Sequence, residues 1–144
     1  MPNLSFDENI KEYTINNDPG RVLRVNMSDF GLLGRISDAA EKAKELQGKY
    51  NDIDESAGFE SFVKWSREID TQLRSIFDGV FGEGASKIVF MDQNLLSTTS
   101  SGKSIMENFM EAFTEMVKPE LEAAFQAASA RVGAYKTQYD SFAA

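Results

Sequence analysis

A change in the spacing of apolar residues near residue 28 constrains the fold of this chain more than any other sequence feature. Before it, the stretches "KEYTI" (11–15) and "RVLRV" (21–25) alternate polar and apolar residues, which is the period of a β-strand. Between them lies "NNDPG", where Pro19 presets φ and Gly20 tolerates the positive φ of a type II turn. The alternation predicts a β-hairpin whose buried face carries Tyr13, Ile15, Leu23 and Val25. Its solvated face would carry Lys11, Glu12, Arg21 and Arg24.

After residue 28 the apolar residues recur every three or four positions, as they do on one face of a helix. A first helix is predicted over about 29–50, with Ser28 or Asp29 as its N-cap. Its apolar stripe is Phe30, Leu33, Ile36, Ala40, Ala43, Leu46 and Tyr50. A second helix is predicted over about 59–81 and is ended by Gly82 and Gly84. Its stripe is Phe59, Phe62, Ile69, Leu73, Ile76, Phe77 and Val80.

The segment "ASKIVF" (85–90) is short enough to be a helix or a strand, and a short helix is favoured because no later strand exists to pair with it. A polar loop follows near 91–103. A helix over about 104–117 should begin with a capping box made by Ser104 and Glu107. Pro119 then predicts the start of a separate last helix, since proline is tolerated in a first turn and not in a helix interior.

The last helix has a strict heptad spacing over three repeats, which is typical of a helix that packs along another helix. Its apolar positions are Leu121, Phe125, Ala128, Val132, Tyr135, Tyr139 and Phe142. This face could pair within the fold, between copies of the chain, or with a client helix. The whole pattern predicts one α+β domain over 1–144, with a β-hairpin in 1–28 and a predominantly helical body of about four helices in 29–144.

Composition narrows the possible chemistry. The chain has neither cysteine nor histidine, so it lacks the residues of thiolate and imidazole nucleophiles and of the usual zinc sites. We therefore expect no enzyme activity, no cofactor and no metal. The net charge of −8 disfavours nucleic acid and anionic lipid as partners. The chain contains no apolar run of membrane-spanning length, and "MPNLSFDENIKEY" does not resemble a signal peptide, so we expect a cytoplasmic protein.

Two short motifs suggest ligand sites, and both fail on spacing. "STTSSGKSI" (97–105) ends like a phosphate-binding loop, but Ser97 stands where that loop needs glycine, and no parallel sheet surrounds it. The acidic stretch that starts "NDIDESAG" (51–58) resembles a calcium loop, but Ala57 and Val63 replace the required glycine and glutamate. We expect a helix cap and an acidic connector instead. The neighbouring Glu107 and Glu111 are expected on an exposed acidic helix face.

An apolar stripe in "SIMENFMEAFTEMV" (104–117) is the more informative feature, because methionine adapts its shape to variable apolar partners. Such a stripe is usually the core face of its helix, and the alternative is that part of it lines a binding groove. Met106 and Met110 are the members that we expect to be removable without unfolding the protein. The predicted partner-binding residues are Met106, Phe109, Met110, Phe113, Val132, Tyr135 and Tyr139.

Three passages give the chain a resemblance to the tail assembly chaperones of long-tailed bacteriophages and prophages. "EYTINNDPGRVLRVNMSDFGLLGRISDAAEKAKEL" (12–46) resembles the family's opening, in which a hairpin leads through an Asn-x-x-Asp-Phe junction into a long helix. "IDTQLRSIFDGVFGEGASKIVF" (69–90) resembles its middle, and "NFMEAFTEMVKPELEAAF" (108–125) resembles its closing helix. Together they cover more than half of the chain.

The resemblance implies a small acidic protein without catalytic residues, located in the cytoplasm of the host bacterium. Members of that family coat the long helical tape-measure protein and help tail tube subunits polymerise around it. The resemblance therefore implies protein partners, namely the tape-measure protein and tail tube subunits, and it is compatible with a homo-oligomer. A structural component of the tail, such as a completion or connector protein, is the alternative function.

Overall fold

The computed structural model describes residues 1–50 and 58–143, and it describes their side chains except those of Gln47, Tyr50 and residues 135–143. Two antiparallel strands, β1 (Lys11–Ile15) and β2 (Asp18–Val25), precede four helices. The helices are α1 (Phe30–Tyr50), α2 (Phe59–Phe81), α3 (Ala85–Phe90) and α4 (Ile105–Ala143). The predicted α+β class, with one N-terminal hairpin and a helical body, is confirmed.

The hairpin turns at Asn16 and Asn17, whose φ angles are +49° and +60°. The predicted type II turn at Pro19 and Gly20 is therefore wrong, because asparagine tolerates the two successive positive φ angles of a tight hairpin turn. Pro19 and Gly20 lie in a bulge of β2, where the register shifts between Thr14, which pairs with Val22, and Ile15, which pairs with Asp18. Proline has no N–H for the ladder, which favours a bulge at this position.

The predicted buried face of the hairpin is confirmed: Leu23 and Val25 are buried, and Tyr13 and Ile15 pack against the core. Arg21 was predicted to be solvated, and this is wrong. The bulge directs its half-buried side chain towards the C-terminal end of α3, where Nε donates to the carbonyl of Ile88 at 3.0 Å and the guanidinium also bonds the carbonyl of Val89. These are among the carbonyls that the end of a helix leaves unpaired.

Helix α1 starts within a residue of its predicted position, and its first turn is capped as expected by Asp29, whose Oδ1 accepts the N–H of Gly31 at 2.8 Å. Its predicted inner stripe is wrong at the N-terminal end and at Ala40, which is exposed while Ala39 packs against the core. Leu32 is fully buried, whereas Phe30 and Leu33 are each 45% exposed. Packing of α1 on α2 sets this rotation, together with a 2.8 Å hydrogen bond from Arg35 Nε to the carbonyl of Val80 at the end of α2.

Helix α2 has the predicted bounds, and its C-terminal two thirds supply the buried residues Ile69, Leu73, Phe77 and Val80. The first turns extend past the core, so Phe59 and Phe62 are 79% and 54% exposed, contrary to the predicted stripe. Gly82 and Gly84 end the helix with φ angles of +111° and +83°, which other residues rarely adopt. The segment 85–90 is helical, as favoured from the sequence.

Helix α4 is continuous from Ile105 to Ala143, so the predicted break at Pro119 is wrong. Proline has a helix-compatible φ, and its cost comes from the lost N–H and from contact with the carbonyl four residues earlier. Both Pro119 and Glu115 are exposed, so the freed carbonyl of Glu115 lies on the solvent side of the helix. There it can bond to water, which allows the helix to continue.

The core joins the inner face of β2 to all four helices and to the loop that precedes α4. Leu32, Phe90 and Leu95 are its most completely buried side chains. Among the described side chains of α4, Phe113 and Val117 are buried in this core, and Ile105, Met106, Phe109 and Leu121 pack against it. The position of α4 relative to α1 and the hairpin therefore decides which of its apolar residues remain accessible.

Candidate functional site

The phenylalanines of the predicted binding stripe belong to an aromatic cluster in the core. The Phe109 ring centroid lies 5.1 Å from that of Phe77 and 5.7 Å from that of Phe90, both in edge-on arrangements. Phe113 is 5% exposed, and its ring lies 5.0 Å from Phe81. Edge-on aromatic packing of this kind stabilises a core beyond simple burial. Of the two alternatives for the stripe, a core face or a groove lining, the core face is therefore the better description of Phe109 and Phe113.

The two methionines of the stripe differ in their surroundings. Met106 packs against the core, and its backbone N–H donates to the carbonyl of Leu95 at 3.3 Å. Met110 is half-buried and lines an open groove between α1 and α4. Of the pair that we expected to be removable, Met110 is the one with an accessible apolar surface.

The groove between α1 and α4, here called the α1–α4 groove, is the candidate functional site. It has a volume of about 520 Å³. Leu33 and Ile36 of α1 form one wall, and α4 forms the floor and the opposite wall. The α4 residues that line it are Met110, Phe113, Thr114, Val117, Lys118, Leu121, Glu122, Phe125 and Gln126.

The shape and polarity of this groove suit an apolar helical ligand. Its α4 lining runs over 17 residues from Met110 to Gln126, a rise of about 24 Å at 1.5 Å per residue, and its α1 wall is the single turn that carries Leu33 and Ile36. Two apolar side chains in its walls are exposed to solvent: Leu33 is 45% exposed and Phe125 is 66% exposed. Lys118 and Glu122 supply one charge of each sign along α4. A ligand with an apolar face and mixed polar edges would therefore complement it.

A second groove lies between the hairpin and α4, with a volume of about 450 Å³. Polar and apolar residues line it together, among them Tyr13, Arg21, Asn108 and Met116. Two of these already have internal partners, because Arg21 bonds α3 and Asn108 Nδ2 donates to Thr99 Oγ1 at 2.7 Å. The α1–α4 groove consequently offers the more continuous apolar surface.

The loop that contains the Gly-Lys-Ser tripeptide is held by internal bonds. The N–H of Gly102 donates to the carbonyl of Thr99 at 2.9 Å, and Lys103 forms an ion pair with Glu111, which raises the pKa of the lysine. Ser104 Oγ accepts the N–H of Glu107 at 3.1 Å and bonds its carboxylate, so the predicted capping role of Ser104 is confirmed. In a phosphate-binding loop, the lysine and the backbone amides would face the ligand instead.

Anchors to α2 fix the same loop at its other end. Asp70 accepts the N–H of Leu95 at 2.8 Å and the Nε of Arg74 at 3.1 Å, while Arg74 also donates to the carbonyls of Met91 and Gln93. The sequence predicts a polar loop here, and its position is confirmed. Leu95 nevertheless lies wholly in the core, so the loop is a fixed part of the fold that holds the start of α4.

Other kinds of site have less support in the described part of the chain. Among residues 1–50 and 58–143, no group of three acidic side chains is placed to hold a metal ion. Most of the calcium-like stretch falls in 51–57, outside the described residues. No helix among those described is both long enough and apolar enough to span a bilayer.

The remaining predicted site residues lie on the C-terminal part of α4. Val132 is 68% exposed. Tyr135 and Tyr139 belong to the same helix, but their side chains are outside the described part of the structure. Of the predicted residues whose side chains the structure describes, Met106, Phe109 and Phe113 therefore belong to the core or pack against it, Met110 lines the α1–α4 groove, and Val132 is exposed.

Comparison with known proteins adds no assignment: no protein-family model, no curated protein and no solved structure matches this chain. The site therefore has to be interpreted from its own geometry. Sequence reasoning missed Leu33 and Phe125 as groove residues, because it placed the first in the core stripe of α1 and the second in the heptad face. The adjacency of Leu32 and Leu33 was the available signal, since successive side chains on a helix point in directions about 100° apart and one of the two could take the core position.

Proposed function

We propose that this protein is a tail assembly chaperone of a long-tailed bacteriophage or prophage, and that its α1–α4 groove binds helical segments of the tape-measure protein. In this proposal it acts in the cytoplasm of the host bacterium, has no enzymatic activity, and releases its client as tail tube subunits assemble. The observation that carries the proposal is the open apolar groove, whose α4 lining is about 24 Å long, on an otherwise acidic protein.

The dimensions of the groove support a helical client. The α4 lining of about 24 Å corresponds to about four helical turns, which is enough for the i, i+3, i+4 and i+7 anchors of an amphipathic helix. The groove floor is formed by buried Phe113 and Val117, so its base is rigid. Met110, Leu33 and Phe125 provide the accessible apolar contacts, and methionine in particular can adjust to different client side chains.

The charge of the protein supports a carrier function. A tape-measure protein exposes long apolar helix faces before the tube encloses it, and such faces aggregate unless they are covered. A carrier with a net charge of −8 keeps the complex soluble through mutual repulsion. The same charge disfavours the genome and anionic membranes as competing partners. The partners proposed here are therefore proteins, the tape-measure protein first and the tube subunits second.

Co-expression with the tape-measure protein of the same phage or prophage would test the proposal. The test variant is the double change Leu33→Ser and Met110→Ser, which removes apolar contacts from both walls of the groove. The matched control is Phe59→Ser on α2, because Phe59 is 79% exposed and does not line the α1–α4 groove. We expect the parent chain and the control to keep the tape-measure protein soluble and to co-purify with it, and the double variant to lose it while remaining folded.

Purified virions provide a second test. A chaperone leaves the assembly, so the protein should be absent from mature particles, whereas a completion or connector protein would be present in fixed copy number. Retention of the client by a folded double variant would place the binding site elsewhere. Presence in virions at fixed stoichiometry would favour the structural alternative.

A further inference from the structure

The C-terminal part of α4 carries an apolar face that the described structure covers only at Leu121, which packs against the core. From Lys118 to Ala134, none of the described side chains is buried. Phe125 and Val132 are 66% and 68% exposed. The helix continues to Ala143, so the heptad positions from Leu121 to Phe142 span about 32 Å at 1.5 Å per residue. A strict 3.5-residue repeat of this length is typical of a helix that pairs with another helix.

The heptad positions follow from the spacing. Position a holds Phe125, Val132 and Tyr139, and position d holds Leu121, Ala128, Tyr135 and Phe142. The flanking e positions are Glu122, Ser129 and Lys136, and the flanking g positions are Ala124, Arg131 and Gln138. Charges at e and g decide the partner and orientation of a coiled coil. Positions from Tyr135 onwards are assigned by heptad register along the α4 backbone.

The flanking charges are self-complementary in one orientation. In a parallel pair of identical helices, g faces e of the following heptad, so Arg131 would face Lys136 of the second copy, and symmetry would repeat this like-charge contact. In an antiparallel pair, e faces e. Glu122 would then face Lys136 of the second copy, and symmetry would give two attractive pairs. The one like-charge contact, Arg131 with its own copy, lies at the two-fold axis.

The sizes of the apolar residues also favour the antiparallel arrangement. There, position a packs beside position d, which places Phe125 beside Tyr135 of the second copy and Val132 beside Ala128. A parallel pair would instead stack Ala128 on its own copy and leave a gap between larger layers. We propose that two copies of this chain associate through an antiparallel pairing of the heptad faces of α4. This proposal does not rest on the chaperone function. Leu121 and Phe125 also line the α1–α4 groove, so the dimer would cover the C-terminal end of that groove.

Sedimentation velocity of the full chain over a range of concentrations would test the pairing. We expect a dimer of twice the 16.0 kDa chain mass. Val132→Glu places a charge in the seam and should give a monomer with unchanged helix content, because Val132 contributes little to the core at 68% exposure. Ala130→Glu is the matched control: it adds the same charge at an outward f position, and it should leave the dimer intact.

Lys136→Glu distinguishes the two orientations. In the antiparallel pair it replaces two attractive contacts with two repulsive ones, and we expect the dissociation constant to rise about tenfold. The double variant Glu122→Lys with Lys136→Glu should restore the parent value. In a parallel pair, Lys136→Glu would face Arg131 and tighten the dimer, which would overturn the antiparallel arrangement.

Other outcomes would overturn self-association itself. A chain that stays monomeric at all concentrations, or a dimer that Val132→Glu does not weaken, would show that the heptad face does not bind a second copy. If the monomeric chain lost only its tape-measure client on Val132→Glu, the face would be a client site instead. The groove variant Leu33→Ser with Met110→Ser should keep the dimer, so failure of one proposal can be told from failure of the other.

Discussion

The adjacent leucines of α1 allow a sharp test of how that helix is rotated. Leu32 is 0% exposed, and Leu33 is 45% exposed and lines the α1–α4 groove. Leu32→Ala should cost about 2–5 kcal/mol of the free energy of unfolding, since it leaves a cavity in the core. Complete burial of a leucine is worth about 1.5–3 kcal/mol, and Leu33 is about half buried with open space beside it, so Leu33→Ala should cost about 1 kcal/mol or less.

Thermal unfolding followed by circular dichroism would measure the difference, with both variants and the parent at one protein concentration. At about 2–4 °C per kcal/mol for a chain of this size, Leu32→Ala should lower Tm by about 10 °C and Leu33→Ala by about 3 °C or less. Co-purification should show the opposite order, because Leu33→Ala removes a proposed client contact. Equal losses of stability for the two variants would refute the rotation of α1 and, with it, the wall of the groove.

Three further predictions concern the loop and α4. Pro119→Ala should stabilise the protein by about 1–3 kcal/mol in urea unfolding, because it restores a helix hydrogen bond; a loss of stability would favour a separate helix that begins at Pro119. Asp70→Ala should cost about 1.5–3 kcal/mol, because Asp70 accepts the Leu95 N–H at 2.8 Å. The exposed Asp38→Ala should be neutral, and equal effects of these two changes would contradict the anchoring role of Asp70. ATP or GTP with magnesium should leave Tm unchanged. A nucleotide that bound, at ten times its Kd, would add about 1.4 kcal/mol to the free energy of unfolding. A rise in Tm that Lys103→Ala abolishes would contradict this prediction.

Local periodicity was sufficient to predict the fold class and most helix bounds. The change from a period of two to one of about three and a half located the hairpin and the starts of α1 and α2, because these patterns reflect the geometry of single elements. The caps at Asp29 and Ser104 were also predictable, since a cap involves only neighbours in sequence. The Asn16–Asn17 turn was missed because "NNDPG" contains two competing turn signals, and only the pairing register selects between them.

The candidate site depended on contacts between distant parts of the chain. Phe109 and Phe113 have the same spacing whether they face a core or a groove, and only the approach of Phe77 and Phe81 buries them. Met110 lines the groove between α1 and α4 and stays half-buried, although it shares a helix with Phe109 and Phe113. A helical stripe specifies which residues share a face, but not what that face meets.

What the sequence determined by itself was therefore a set of elements: a hairpin, amphipathic helices, their caps, and a heptad face on α4. The tertiary structure decided the rotation of α1, which buries Leu32 and exposes Leu33. It also decided the continuity of α4 through Pro119, where an exposed position allows water to replace the lost hydrogen bond. Rotation and continuity depend on long-range packing and solvent access, which sequence periodicity does not encode, and together they create the groove and leave the heptad face open.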